Sequence, residues 1–373
     1  SVGFDDDNIM AAIRSVVSEE TGVAANEITN STVLAELGMD SLLSLTIMSK
    51  LMETLEMELP STLFQECHTL KEVEEALGLA PKQSEDKLPV NVPTKNSNNA
   101  PSTGKTTKLD TARATSILLQ GNARTSNKVL FLFPDGSGSA TSYASIPRIS
   151  PDVAVYGLNC PWMKTPHDMI GSSFEDMTTV YLKEIRRRQP HGPYYFGGWS
   201  AGGILAYEAA QQLAKSSEEI ARLILIDSPN PVGLENPPQR MYDFFESVGI
   251  FGTDGRAPPD WLRPHFDAFI GTLDKYEVKP FTGSSSLNTH IIYARDGICK
   301  FPSDPRPEIR PGDPREMLWL LNNRTDFSGV GWAELVGKEN LKVEVLDNVN
   351  HFSMVEAGPK IAELAFFVRA AMG

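Results

Sequence analysis

Gly198-Trp199-Ser200-Ala201-Gly202 sets a serine between two glycines at the spacing of a nucleophile elbow. A serine hydroxyl is a weak nucleophile. It needs a sharp turn to present it and a base to take its proton. Both arms of such a turn are legible. Pro193 to Phe196 is aromatic and reads as a strand, and Ile204, Leu205, Ala209 and Leu213 recur at helical spacing. The N–H of Ala201, at the helix start, is placed to meet a developing oxyanion. Far downstream, Leu341 to Leu346 reads as a strand that runs into Asn348-Val349-Asn350-His351. Of the six histidines, His351 alone follows a late strand in this way. The chemistry these residues suit is acyl transfer through an ester on Ser200, with His351 as base. The plainer alternative is a glycine-rich turn with a buried serine.

A base of this kind needs an acid to hold its tautomer. Asp227 ends the strand after the elbow, 27 residues beyond Ser200. Asp296 follows a later strand, Ile291 to Arg295. The residues alone leave both open. A second oxyanion donor is expected near Asp135 or Gly136, in the loop after the apolar strand Val129 to Phe133, because α/β-hydrolases donate an N–H from such a loop. Gly136-x-Gly138 also has the look of a dinucleotide loop, but the third glycine and the ribose-binding acid are missing.

A separate chemical signal lies near the start, in Leu37-Gly38-Met39-Asp40-Ser41-Leu42. Asp40 is a suitable N-cap, and an apolar helical pattern runs from Leu42 until Pro60 stops it. With helices over 8–20, around Leu63-Phe64 and over 70–77, this makes a four-helix unit. The stretch resembles the attachment site of acyl carrier proteins, which implies a 4′-phosphopantetheine arm on Ser41. A helix N-terminus favours the phosphodiester of such an arm. Without the resemblance, Ser41 is an ordinary first-turn serine. Glu53, Glu56 and Glu58 then form either a docking face for basic patches or a solvated helix face.

Charge divides the chain. Of a net −14, residues 1–80 carry 15 acidic against 3 basic side chains. The excess of acid disfavours nucleic acid as a partner. No apolar run reaches membrane-spanning length, so no membrane association is expected. Three scattered cysteines argue against a disulfide framework or metal site and for a reducing, cytoplasmic setting. The start has neither a signal peptide nor an initiator Met, which points to a piece of a longer chain. Residues 81–113 hold Pro, Asn, Ser, Thr and Lys with few large apolar side chains, and read as a flexible linker. The expected layout is therefore a carrier unit over 1–80, this linker, and a catalytic domain over 114–373. Within the last, about 229–290 breaks the sheet pattern with prolines and aromatics and reads as a lid over the site.

Three stretches carry a closer resemblance: Leu37 to Thr46, Phe133 to Tyr143 and Gly197 to Ala210. They are similar to the C-terminal acyl carrier–thioesterase pair of fungal non-reducing iterative polyketide synthases. The resemblance implies a small four-helix carrier bundle joined to an α/β-hydrolase fold with a lid insertion. It favours Asp227 over Asp296 as the acid. It implies release of an aromatic polyketide from the Ser41 arm through Ser200, by Claisen (Dieckmann) ring closure, with hydrolysis or lactone and pyrone formation as alternatives. Implied partners are upstream ketosynthase, acyltransferase and product-template domains, a phosphopantetheinyl transferase and the polyketide itself. Two other readings are a peptide-synthetase carrier–thioesterase and a non-catalytic carrier scaffold.

Overall fold

The frame is a seven-stranded sheet in the order β1-β3-β2-β4-β5-β6-β7. Its strands are β1 (Thr115–Gln120), β2 (Lys128–Phe133), β3 (Val153–Asn159), β4 (Tyr194–Trp199), β5 (Ile220–Ile226), β6 (Thr289–Ala294) and β7 (Leu341–Leu346). All pairings are parallel except β1 with β3. The computed structural model describes residues 6–60, 62–79, 108–250, 259–283, 285–329 and 331–373.

The central strands are continuous apolar runs because both sheet faces are covered. Helices α6 (Phe174–Arg188) and α7 (Ala201–Lys215) bury one face, with Met177, Tyr181, Ile204 and Leu205 in its core. Helix α12 (Ile361–Met372) buries the other through Leu364, Val368 and Ala371. Between β5 and β6 lie α8 (Gln239–Ser247) and α9 (Leu262–Leu273), and between β6 and β7 lie α10 (Arg315–Leu321) and α11 (Trp332–Val336). This is the α/β-hydrolase arrangement expected, with strand C-termini opening toward one edge of the sheet.

The carrier unit consists of α1 (Asp6–Thr21), α2 (Ser41–Leu55), α3 (Leu63–Glu66) and α4 (Leu70–Ala76) around Ile13, Val17, Leu51, Met52 and Leu70. Asp40 caps α2, its carboxylate accepting the N–H of Leu43 at 2.7 Å. Helix α2 stops at Leu55 rather than at Pro60. Glu56 turns left-handed at φ 54°, and the chain beyond it buries Leu59 without staying helical. Of the predicted linker, 108–111 forms the short helix α5 (Lys108–Thr111), and 81–107 lies outside the described residues.

Helix α2 lies along the open edge of β1. Leu118 N–H donates to Ser49 Oγ at 2.7 Å and Gly121 N–H to Glu58 Oε1 at 3.0 Å. A covering helix satisfies strand groups that would otherwise stay exposed. The acidic face predicted on α2 is used here. Glu53 meets Arg188 at 2.9 Å, Glu56 meets Arg124 and Glu58 meets Arg148. Leu45 joins the core cluster of Ile117, Tyr143 and Ile146. The Ser41 end of α2 therefore packs beside the 3-10 turn Ala140–Tyr143 that follows the Asp135–Gly138 loop.

Candidate active site

Ser200 stands at the junction of β4 and α7, at φ 56° and ψ −130°. A non-glycine residue held there is strained, and the surroundings must hold it. Ser200 N–H donates to Ile226 O at 3.0 Å. Trp199 N–H donates to the Tyr143 hydroxyl at 2.8 Å, which in turn donates to Phe133 O. Burial pushes the Tyr143 phenol far up, so it stays a donor. Gly198 and Gly202 let the two arms of the turn touch. A methyl group on Gly198 would strike the backbone of Gly202, and one on Gly202 would strike the carbonyls of Phe133 and Pro134. Backbone cannot step aside as a side-chain tip can. Gly202→Ala is expected to cost about 2–3 kcal/mol of stability, as for overpacking elsewhere in protein cores. Urea unfolding checks this, and an unchanged midpoint would mean that α7 does not need this close approach.

His351 lies in the loop after β7 and is buried. Its Nε2 is 2.9 Å from Ser200 Oγ and its Nδ1 is 2.8 Å from Asp227 Oδ2. The carboxylate only accepts, so Nδ1 carries the proton and Nε2 faces Ser200 as an acceptor. Trp199 Nε1 donates to His351 O at 2.9 Å and fixes the loop. The rings of Trp199, Trp319 and Phe352 pack within 5.0–5.3 Å of the imidazole centroid.

Asp227 ends β5 in a left-handed conformation, φ 45°, that turns its carboxylate under His351. Its Oδ1 accepts from Ala294 N–H at 2.9 Å and from the Arg324 guanidinium. Burial alone would push this carboxyl up. Arg324 and His351 outweigh it and hold the group below the usual aspartate range, so it stays ionised. Asp296, the other acid the sequence offered, pairs instead with Lys300 at 2.8 Å.

Asp135 and Gly136 line the same cavity as Ser200 and Ala201. The Asp135 carboxylate shapes its own loop, accepting from Ser137 N–H at 3.1 Å, Ser137 Oγ at 2.8 Å and Ser142 Oγ at 2.7 Å. The cavity is open, and together with the solvent at its mouth it holds about 870 Å³ of empty space. From the predicted lid come Leu234, Tyr242, Phe245, Phe266 and Ile270. The cover is not confined to 229–290, however. Trp319 and Leu320, from the insertion between β6 and β7, close another side. Residues 251–258 of the predicted lid lie outside the described residues.

Ser41 is the first residue of α2 and is exposed. Its hydroxyl is thus open to modification. The unpaired N–H groups of a first helical turn suit a phosphodiester, so the residues present fit a phosphopantetheine attachment point. Among the described residues no cluster of His, Cys, Asp and Glu suits a metal ion, and no helix is long and apolar enough to cross a membrane. The three cysteines are free and buried.

Arg324 and Trp319 were not legible as site residues. Arg324 is buried, stacks on Trp319 at 3.8 Å and sits 97 residues from its partner Asp227. It lies in a stretch without strand or helix periodicity, and only its burial marks it.

Residues 128–243 match the thioesterase domain family, and residues 11–77 match the phosphopantetheine attachment site family. The chain is 51% identical, over 98% of its length, to the conidial pigment polyketide synthase alb1 of Aspergillus fumigatus. It is 50% identical over its whole length to the conidial yellow pigment biosynthesis polyketide synthase of Emericella nidulans. It is 49% identical over 96% of its length to the non-reducing polyketide synthase albA of Aspergillus niger. It spans only 17%, 18% and 18% of these proteins. Among solved structures, the NocB thioesterase domain in covalent complex with a fluorophosphonate nocardicin G analog aligns at a TM-score of 0.50 and 21% identity. It covers 70% of this chain and 99% of that domain. The four-domain nonribosomal peptide synthetase AB3403 aligns at 0.50 and 19%, over 99% of this chain and 26% of that one. At such identities these two share the fold. The chain is an enzyme of the thioesterase type with a phosphopantetheine attachment domain, and it belongs to the carrier–thioesterase portion of the fungal non-reducing polyketide synthase family.

Proposed function

We propose that this chain releases an aromatic polyketide by acyl transfer to Ser200, followed by Claisen (Dieckmann) carbon–carbon ring closure. The observation that carries this is the continuous Ser200–His351–Asp227 hydrogen-bond path at 2.9 and 2.8 Å beneath an apolar cover. A phosphopantetheine arm on Ser41 supplies the acyl group as a reactive thioester. His351 Nε2 takes the Ser200 proton as Oγ attacks the thioester carbonyl, and then gives that proton to the departing thiolate. Asp227 holds the imidazole in the right tautomer and stabilises the imidazolium. The oxyanion is met by the Ala201 N–H and by the N–H of Asp135 or Gly136.

Two attacks can then free the ester on Ser200. In ring closure, His351 removes an acidic proton from a carbon between two carbonyls. The carbanion attacks the ester carbonyl, and Ser200 leaves with the proton that His351 returns. In hydrolysis, His351 activates a water instead. The aromatic and aliphatic cover from Phe245, Phe266, Trp319 and Leu320 supports carbon attack, since it limits water at the ester.

Mass spectrometry of the products from pantetheinylated protein loaded with a pre-aromatised polyketide thioester tests this. The expected product is one water lighter than the free acid and depends on Ser200. Its fragmentation separates carbon closure from lactone or pyrone formation. Free acid alone would make the domain a hydrolase. An acyl group retained on Ser41 would support the scaffold reading.

A further inference from the structure

The lid helix α9 sits directly on the two glycines of the loop facing Ser200. A methyl group on Gly136 would lie 2.7 Å from a ring carbon of Phe266. One on Gly138, at φ +75°, would lie 2.5 Å from Cε1 of His265. Consecutive lid residues thus occupy the space that the Gly136-x-Gly138 pattern leaves open. The pattern that looks like a nucleotide loop in the sequence is a socket for the lid.

His265 is fully buried, and its Nδ1 is 3.1 Å from Gly136 O. A carbonyl only accepts, so Nδ1 bears the proton. Nε2 is buried without a hydrogen-bond partner. Burial lowers the imidazole to about 4, so the ring is neutral near pH 7. An apolar side chain would fill this place without stranding a nitrogen. What it would lack is the hydrogen bond to Gly136 O.

That bond matters because Gly136, without a Cβ, has more backbone freedom than its neighbours. The loop's own bonds are Ser137 N–H to the Asp135 carboxylate at 3.1 Å, on the same peptide as Gly136 O, and Gly138 N–H to Asp135 O at 2.9 Å, with Cys160 N–H on Gly138 O at 2.8 Å; His265 adds a bond from the lid. With Ser137 N–H held by Asp135 at the other end of the same peptide, the bond to Gly136 O fixes the Gly136–Ser137 plane and so narrows the ψ of Gly136, whose N–H belongs to the preceding peptide.

We infer that His265 is a positioning residue for release: through it, α9 sets the geometry of the oxyanion loop, which is complete only with the lid helix seated. The inference rests on the reading of Ser200 as nucleophile.

Two variants of the full chain test it. His265→Leu fills the space but cannot donate. His265→Asn places an amide N–H near the position of Nδ1. With a small soluble acyl thioester, His265→Leu is expected to lower kcat roughly 100-fold, as for loss of one oxyanion donor, with KM little changed. His265→Asn is expected to recover most of that loss. Amide hydrogen exchange at Gly136–Ser139 is expected to quicken in the leucine variant and not in the asparagine variant. Equal losses in both variants, with unfolding midpoints lowered alike, would reduce His265 to a packing role. If the wild type neither turns over nor takes a fluorophosphonate on Ser200, the release reading fails. Amide exchange then decides alone: protection lost with leucine and kept with asparagine sustains the clamp, and unchanged protection in both overturns it.

Discussion

Ser200→Ala is expected to lower acyl release by on the order of 10⁴–10⁶-fold while leaving fold and carrier modification intact. The loss is large because the whole path converges on one atom. Ser200 Oγ is the group His351 Nε2 faces at 2.9 Å, and only the bond formed there splits release into two steps. The structural cost is small. The backbone at φ 56° is held by the Ser200 N–H to Ile226 O bond and by the close contact of Gly198 with Gly202, none of which uses the hydroxyl. The measurements are single-turnover release from the loaded carrier and the mass of the fluorophosphonate adduct. Full turnover by the alanine variant would end the acyl-serine mechanism.

Asp227→Asn is expected to lower release by about 10⁴-fold. The surroundings fix which way the new amide must point. Ala294 N–H and Arg324 both donate to the Oδ1 position, so the amide oxygen goes there. The NH₂ group is then left facing His351 Nδ1. That nitrogen must accept, Nε2 must carry the proton, and His351 can no longer take one from Ser200. Flipping the amide would set NH₂ against two donors. The substitution also leaves the buried Arg324 cation without its counter-charge, a loss of about 3–5 kcal/mol when one partner of a buried pair is removed.

The sign of the pH dependence follows. The folded carboxyl is held below the ordinary aspartate value, so its contribution to stability is fully present above about pH 4 and is lost as pH falls through the lower folded value. The unfolding midpoints of wild type and Asp227→Asn should converge as the pH drops below about 4. A constant gap down to the acid limit would contradict the charged state of Asp227.

The sequence by itself determined the strands of the sheet, the carrier helices and the order of the chemistry. The elbow is legible because its causes are local: glycines where two backbones touch, an apolar strand before, a helical stripe after. The strands of the sheet and the four carrier helices are legible for the same reason, since periodicity records which face is buried. The acidic run Glu53, Glu56 and Glu58 at and beyond the end of α2 is legible as charge.

Tertiary structure decided what depends on contacts between distant residues. The sequence residues left Asp227 and Asp296 open because both end strands of one sheet. A left-handed turn at Asp227 aims its carboxylate at His351, 124 residues away, while Asp296 turns to Lys300. Arg324 lies in a stretch with no repeating pattern and His265 on a helix of the other insertion, and each gains meaning only from a partner 97 or 129 residues distant. Likewise Glu53 finds Arg188 across 135 residues. Local pattern fixes what an element is, because it reports burial along one helix or strand. It carries no record of which side chain lies across the gap, and that is where orientation, charge pairing and the aim of the loop at Ser200 are set.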